Sequence, residues 1–261
     1  MRARSTQELR LPFEGELLAA ERRLFEETIV FVHHFGGNKK STHRHARLVN
    51  ELGFDAVVFN LLYHDATEQP NKMLLRQLPI SADLEFGARH LWQEQIEAVL
   101  NAVPGRKIVF SFSMPTNSAV LAIAKRQAED IAALVCDGGP FLQLPRCLWN
   151  LYTHQFNIES RFLRGAFTAA SLALYGLGFE RQLDAAAELL PPGFPALSFR
   201  AQADTLVPSE AIEEFFEETP AIRVDRVIID EAKHLEGLKM NGMKYRQSLA
   251  PFLARVATRI G

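Results

Sequence analysis

Residues 107–125 read Lys107-Ile-Val-Phe-Ser-Phe-Ser-Met-Pro-Thr-Asn-Ser-Ala-Val-Leu-Ala-Ile-Ala-Lys125. The first six are almost wholly apolar, as in a strand covered on both faces. A helix is expected from Pro115 to Lys125, because proline's missing N–H is no loss at a first helical position. Ser111-Phe112-Ser113-Met114-Pro115 is then a sharp strand-to-helix turn. A serine there stands at the carboxyl end of a strand, where open α/β sheets bind ligands, and at the positive end of a helix, where negative charge is favoured. Such a turn crowds the backbone and wants small residues two positions either side of the serine. Ser111 meets that demand; Pro115 is the less usual choice. A helix-capping serine fits the same five residues, but the apolar strand before them favours Ser113 as a nucleophile.

The same rhythm extends in both directions. Thr28–His34 (TIVFVHH) reads as a strand, followed by a helical pattern at Ala46, Leu48, Val49 and Leu52 that stops at Gly53. DAVVFNLL is a second apolar strand. A helical stripe through Leu84, Leu91, Ile96 and Leu100 ends at Pro104-Gly105. Beyond the opening stretch, DIAALVCD, PALSFR and VDRVIID read as strands and SEAIEEFFEE and YRQSLAPFLARVATRI as helices. Apolar strands alternating with helices predict a doubly wound α/β architecture with a mostly parallel sheet. Before the first strand, residues from about 8 to 24 read as a hairpin turning near Glu14-Gly15.

One segment breaks the alternation. Between Asp137 and Pro195 the chain is rich in Leu, Phe, Trp149, Tyr152 and Tyr175. A structureless loop of that length is improbable in a compact domain. Residues 140–192 are therefore expected to form a helical lid over the strand ends, with 1–139 and 193–261 as the core; an extra crossover helix plus loops is the alternative.

Bulk properties bound the function. The 261 residues carry a formal charge of −2, with 48% hydrophobic and 23% charged residues, which is ordinary globular usage without the basic excess of a nucleic-acid binder. The two cysteines, Cys136 and Cys147, have no metal-ligand spacing and read as free thiols of a reducing compartment. No stretch approaches the apolar length of a membrane span, and the N-terminus lacks an uninterrupted apolar core of the signal-peptide kind. A cytoplasmic monomer or homodimer is expected.

Three further strand ends carry chemistry. His33-His34-Phe35-Gly36-Gly37 can turn backbone N–H groups toward a negative oxygen, glycine supplying the unusual dihedrals; Phe35 and Met114 are the expected donors. His33, His34, His43 and His45 are close in sequence, but no acidic partner has a ligand spacing, so no metal is expected and His34 reads as shaping the loop. Asp204 follows PALSFR and His234 follows VDRVIID. Serine, acid and histidine on one sheet edge are what a proton relay requires, the carboxylate orienting the imidazole that takes the serine's proton. Their order along the chain is that of α/β-hydrolases. Asp137, ending its own strand, is the rival acid, although Gly138-Gly139-Pro140 after it suggests that it opens the lid connection.

With these residues in view, the chain resembles the α/β-hydrolase superfamily over about residues 27 to 258. HHFGGNKKSTHRHARLVNELGFDAVVFNL is similar to the superfamily's oxyanion strand, helix and next strand, with His34 where glycine is usual. SFSMP is similar to its nucleophile elbow, AQADTLVP to its acid loop and KHLEGL to its histidine loop. The resemblance implies an eight-stranded, mostly parallel sheet and cofactor-free hydrolysis of an ester, thioester or amide. The expected substrate is a small acyl compound, with His34, Phe141, Leu142 and Trp149 as candidate binding residues. Leu144, Leu148, Phe156, Phe162 and Phe167 would add apolar surface for an acyl chain or pack within the lid itself. Arg146, Arg161 and Arg164 read first as solvated surface charges, with an anionic carrier as the alternative they could meet. A non-catalytic binding protein on the same fold, and an acyltransferase, are the competing readings.

Overall fold

A computed structural model describes residues 9–62, 87–176 and 178–261. Its strands are β1 (Gly15–Leu18), β2 (Thr28–Val32), β3 (Asp55–Phe59), β4 (Lys107–Phe112), β5 (Ile131–Asp137), β6 (Phe194–Ala201) and β7 (Ile222–Ile229). They form one sheet in the order β1-β3-β2-β4-β5-β6-β7. All pairings are parallel except β1 with β3, where Gly15 faces Phe59 and Leu18 faces Ala56.

Among the described residues the sheet thus has seven strands, where eight were expected, and the N-terminal hairpin is not formed. Residues 9–14 have no strand pairing, and Pro12 lacks the N–H that a ladder needs. β1 instead finds its partner about forty residues on, at an edge of the sheet.

Alternation along the strands sorts the side chains into two cores. Val30, Val57, Val109 and Leu134 face one way, against α2 (Ala88–Ala102), α3 (Pro115–Lys125), α6 (Phe179–Glu188) and α7 (Ser209–Glu218). Phe31, Val58, Phe110 and Val135 face the other, against α1 (His43–Glu51) and α9 (Gly242–Val256). Helices on both faces are the reason the strands could be apolar throughout. The stripe read from Leu84 enters the described residues only at α2; Leu84 itself lies outside them.

Between β5 and β6 run α4 (Leu144–Asn150), a π-helical turn (Leu151–Gln155), α5 (Arg161–Tyr175) and α6. Helix α6 packs on α3 and so lies against the sheet's own helical layer. Helix α5 packs mainly on α4 and the π turn and leaves Phe162 82% exposed. A short helix, α8 (Gly237–Met240), precedes α9.

At the opposite edge the C-terminal tail is tied across the start of β2. Glu26 N donates to Thr258 O (2.9 Å) and Ile260 N to Leu24 O (2.9 Å). The Glu27 carboxylate, 0% exposed, accepts from Thr258 N (2.8 Å) and Thr258 Oγ1 (3.1 Å). Among the described residues no single helix is long and apolar enough to cross a membrane.

Candidate active site

Ser113 joins β4 to α3 with φ of 55°, a left-handed conformation that is costly for a residue with a Cβ. The turn is held on both sides: Ser113 N donates to Asp137 O (2.9 Å), and Thr116 N donates to Ser113 O (3.0 Å). Pro115 occupies the first turn of α3, where it costs no hydrogen bond. Room for the turn comes from the neighbouring strand's exit. A Cβ on Gly139 would lie 2.8 Å from Ser113 O, and one on Gly138, at φ of 68°, would lie 3.0 Å from His234 Cε1. The sequence reading tied these glycines to the connection out of β5; their closest approaches are to Ser113 and His234.

The loops after β6 and β7 are laced together, with Gln202 N donating to Ile229 O (3.0 Å) and Ala203 N to Ala232 O (2.9 Å). This brings Asp204 and His234 into contact. Asp204 Oδ1 accepts from the backbone N–H groups of Leu206 (2.8 Å) and Val207 (2.9 Å), which turns Oδ2 toward His234 Nδ1 at 2.6 Å. His234 Nε2 lies 2.8 Å from Ser113 Oγ. With His234 Nδ1–H donating to Asp204 Oδ2, Nε2 is left as the acceptor facing the serine hydroxyl.

Asp137 does not join this chain of contacts. It is buried, accepts a hydrogen bond from Tyr245 Oη (2.9 Å), and burial pushes its carboxyl up to about 6.

The loop after β2 is held by His33. Its Nδ1 donates to His34 O (2.8 Å), its Nε2 accepts from Leu61 N (2.9 Å), and Gly37 N also donates to His34 O (3.0 Å). Both ring nitrogens of His33 are thereby used. His45 points elsewhere, into a buried aromatic cluster with Phe110, Phe112 and Tyr245.

Ser113 opens into a cavity of about 740 Å³. His34, Phe35, Met114, Phe141 and His234 share its wall with Leu148, Leu151, Phe156, Leu206 and Val207. Leu142 and Trp149 do not line it. Leu142 is turned into the core, its N–H bound to Ala211 O (2.9 Å), and the Trp149 ring lies under the Arg164 guanidinium at 4.9 Å. Phe162 and Phe167 face solvent instead. Arg164 is engaged within its own segment, by Thr153 Oγ1 and Glu159 O. The sequence reading missed Leu151, Leu206, Val207 and Lys233 as lining residues. Leu151 was legible in principle, three residues after Leu148 on one helical face.

No family profile matches the sequence, and no curated protein sequence matches it either. Solved structures do. An esterase of Pyrococcus furiosus superposes with a TM-score of 0.62 at 13% identity, covering 98% of this chain and 95% of its own. A monoacylglycerol lipase of Paleococcus ferrophilus gives 0.62 at 14% identity, over 94% and 99% of the two chains. A carboxylesterase structure from Nitrososphaera gargenis gives 0.61 at 16% identity, over 93% and 94%. The chain has the α/β-hydrolase fold.

Proposed function

We propose that the protein is a serine hydrolase that cleaves small acyl esters or thioesters through an acyl-enzyme intermediate. The observation that carries this reading is the run of contacts from Asp204 through His234 to Ser113, opening on a mainly apolar cavity. That the structural neighbours are esterases, a lipase and carboxylesterases supports ester chemistry.

In this reading Ser113 Oγ attacks the acyl carbonyl carbon while its proton passes to His234 Nε2. Asp204 keeps the imidazole in the right tautomer and stabilises its cationic form. The N–H groups of Phe35 and Met114 receive the negative oxygen of the tetrahedral intermediate. Collapse breaks the bond to the leaving oxygen or sulfur, which takes the proton from His234. Water, deprotonated by His234, then attacks the acyl-enzyme, releasing the acid and restoring Ser113. The apolar wall of Phe141, Leu148, Leu151 and Phe156 suits the acyl chain. Residues 140–192 form the lid in this reading, its last helix, α6, also packing on α3. The buried free thiols Cys136 and Cys147 suit a reducing, cytoplasmic setting.

A fluorophosphonate probe tests the assignment. Wild type should be labelled and hydrolyse p-nitrophenyl butyrate; Ser113→Ala should lose labelling and at least ~10³-fold of the hydrolysis. A folded wild type that is neither labelled nor active would favour a binding protein. Labelling that survives in Ser113→Ala would move the nucleophile elsewhere.

A further inference from the structure

His34 has a second feature besides its place in the loop. Its imidazole lies flat against Gly37: a Cβ there would meet three ring atoms at 2.8, 2.9 and 3.0 Å. The ring therefore needs that glycine, and the packing fixes it on the cavity wall beside His234. Among the described residues neither ring nitrogen of His34 has a hydrogen-bond partner, although the residue is half-buried. The ring nitrogens are not among the buried atoms without a partner, so they stay open on the cavity wall, within reach of a ligand's polar atoms. Burial, with the adjacent His33 and His234, holds the imidazole down to about 4, so it stays neutral near pH 7. A neutral imidazole gives one hydrogen bond and takes one, which is the complement of a hydroxyl.

The position says which part of the substrate would carry that hydroxyl. The inference rests on the hydrolase reading, in which His234 protonates the leaving oxygen, so the leaving alcohol sits against His234. His34 is close enough to His234 to feel its charge and shares that wall with Thr205, Lys233 and Glu236; in this reading the acyl side is walled by Leu148, Leu151 and Phe156. We infer that His34 is a specificity-determining residue that selects esters whose leaving alcohol bears a second hydroxyl on the second or third carbon from the ester oxygen.

The test compares 2-hydroxyethyl butyrate with propyl butyrate, which have the same acyl chain and the same number of heavy atoms. Wild type should favour the hydroxyethyl ester in kcat/KM by about 10-fold, and His34→Phe should bring the ratio to about 1. His34→Gln, which keeps a donor and an acceptor, should retain part of the preference. Thermal melts and fluorophosphonate labelling confirm that each variant is folded. A distorted loop would lower both esters in parallel and leave the ratio unchanged; that result, or a wild type without the preference, overturns the inference. A folded wild type inert to the probe and to both esters overturns the hydrolase reading and this inference together.

Discussion

Single residues in this chain have roles that depend on what a neighbour lacks. Ser113 can hold its left-handed turn because Gly139 has no side chain to meet its carbonyl, and His34 can lie on the loop because Gly37 has none. His45 is the opposite case, a polar ring where the surroundings offer no partner. It is buried with both ring nitrogens unmatched among the described residues, and burial, then the charge of Arg44, pushes its pKa down to about 3. An ordinary histidine in the unfolded chain titrates near 6.5. Stability from a depressed histidine is therefore present above that value and lost as the pH falls toward 3. At pH 5 the loss from this residue is about 2 kcal/mol, from ~1.4 kcal/mol per pH unit. His45→Phe should gain about that much stability relative to wild type between pH 7 and pH 5 in urea denaturation. Parallel pH curves for the two proteins would contradict the assignment. The position was legible: with Leu48, Val49 and Leu52, His45 completes an i, i+3, i+4, i+7 stripe.

At the scale of elements, what the sequence made legible depended on how local the cause was. Strands β2 to β6 are marked by largely apolar runs, β7 by apolar residues interleaved with charged ones, and helices α3 and α7 by a proline at or just before the first turn. The pairing of β1 with β3 was not legible, because a four-residue strand carries no mark of a distant partner. The same limit applies within residues 140–192. Helix α6 buries Leu183, Ala186 and Ala187 against the layer of α3, but a helix over the strand ends would show a similar stripe. That Ser113, Asp204 and His234 would meet at one sheet edge was legible because each follows a recognisable strand. Leu206 and Val207 as cavity wall were not, since their role follows from how the Asp204 turn folds. The wall contributed by α4 and its π-helical exit can be tested directly. Leu148→Ala combined with Phe156→Ala should reduce the preference for p-nitrophenyl hexanoate over acetate by about 10-fold, since apolar contact with each methylene is worth ~0.8 kcal/mol. Equal losses on both esters would mean that the acyl chain lies elsewhere.

Considered whole, the molecule has a working edge and a fastening edge. The carboxyl ends of the strands hold Ser113, Asp204 and His234, whereas the tail from Thr258 to Ile260 closes over the buried Glu27 near the amino end of β2. Removing Thr258–Gly261 should cost about 2 to 3 kcal/mol, as a buried carboxylate loses two donors, and lower Tm by roughly 5 to 10 °C. Calorimetry measures the shift, and an unchanged Tm would deny the tail this role. Activity per folded molecule at low temperature should be unaffected. The segment from α4 through α5 has a different consequence. It is a single uninterrupted run of chain inserted between β5 and β6, and it contributes none of Ser113, Asp204 or His234. On the proposed reading, a lineage can therefore rewrite or exchange that run as one cassette, acquiring a new diet while Ser113, Asp204 and His234 stay as they are.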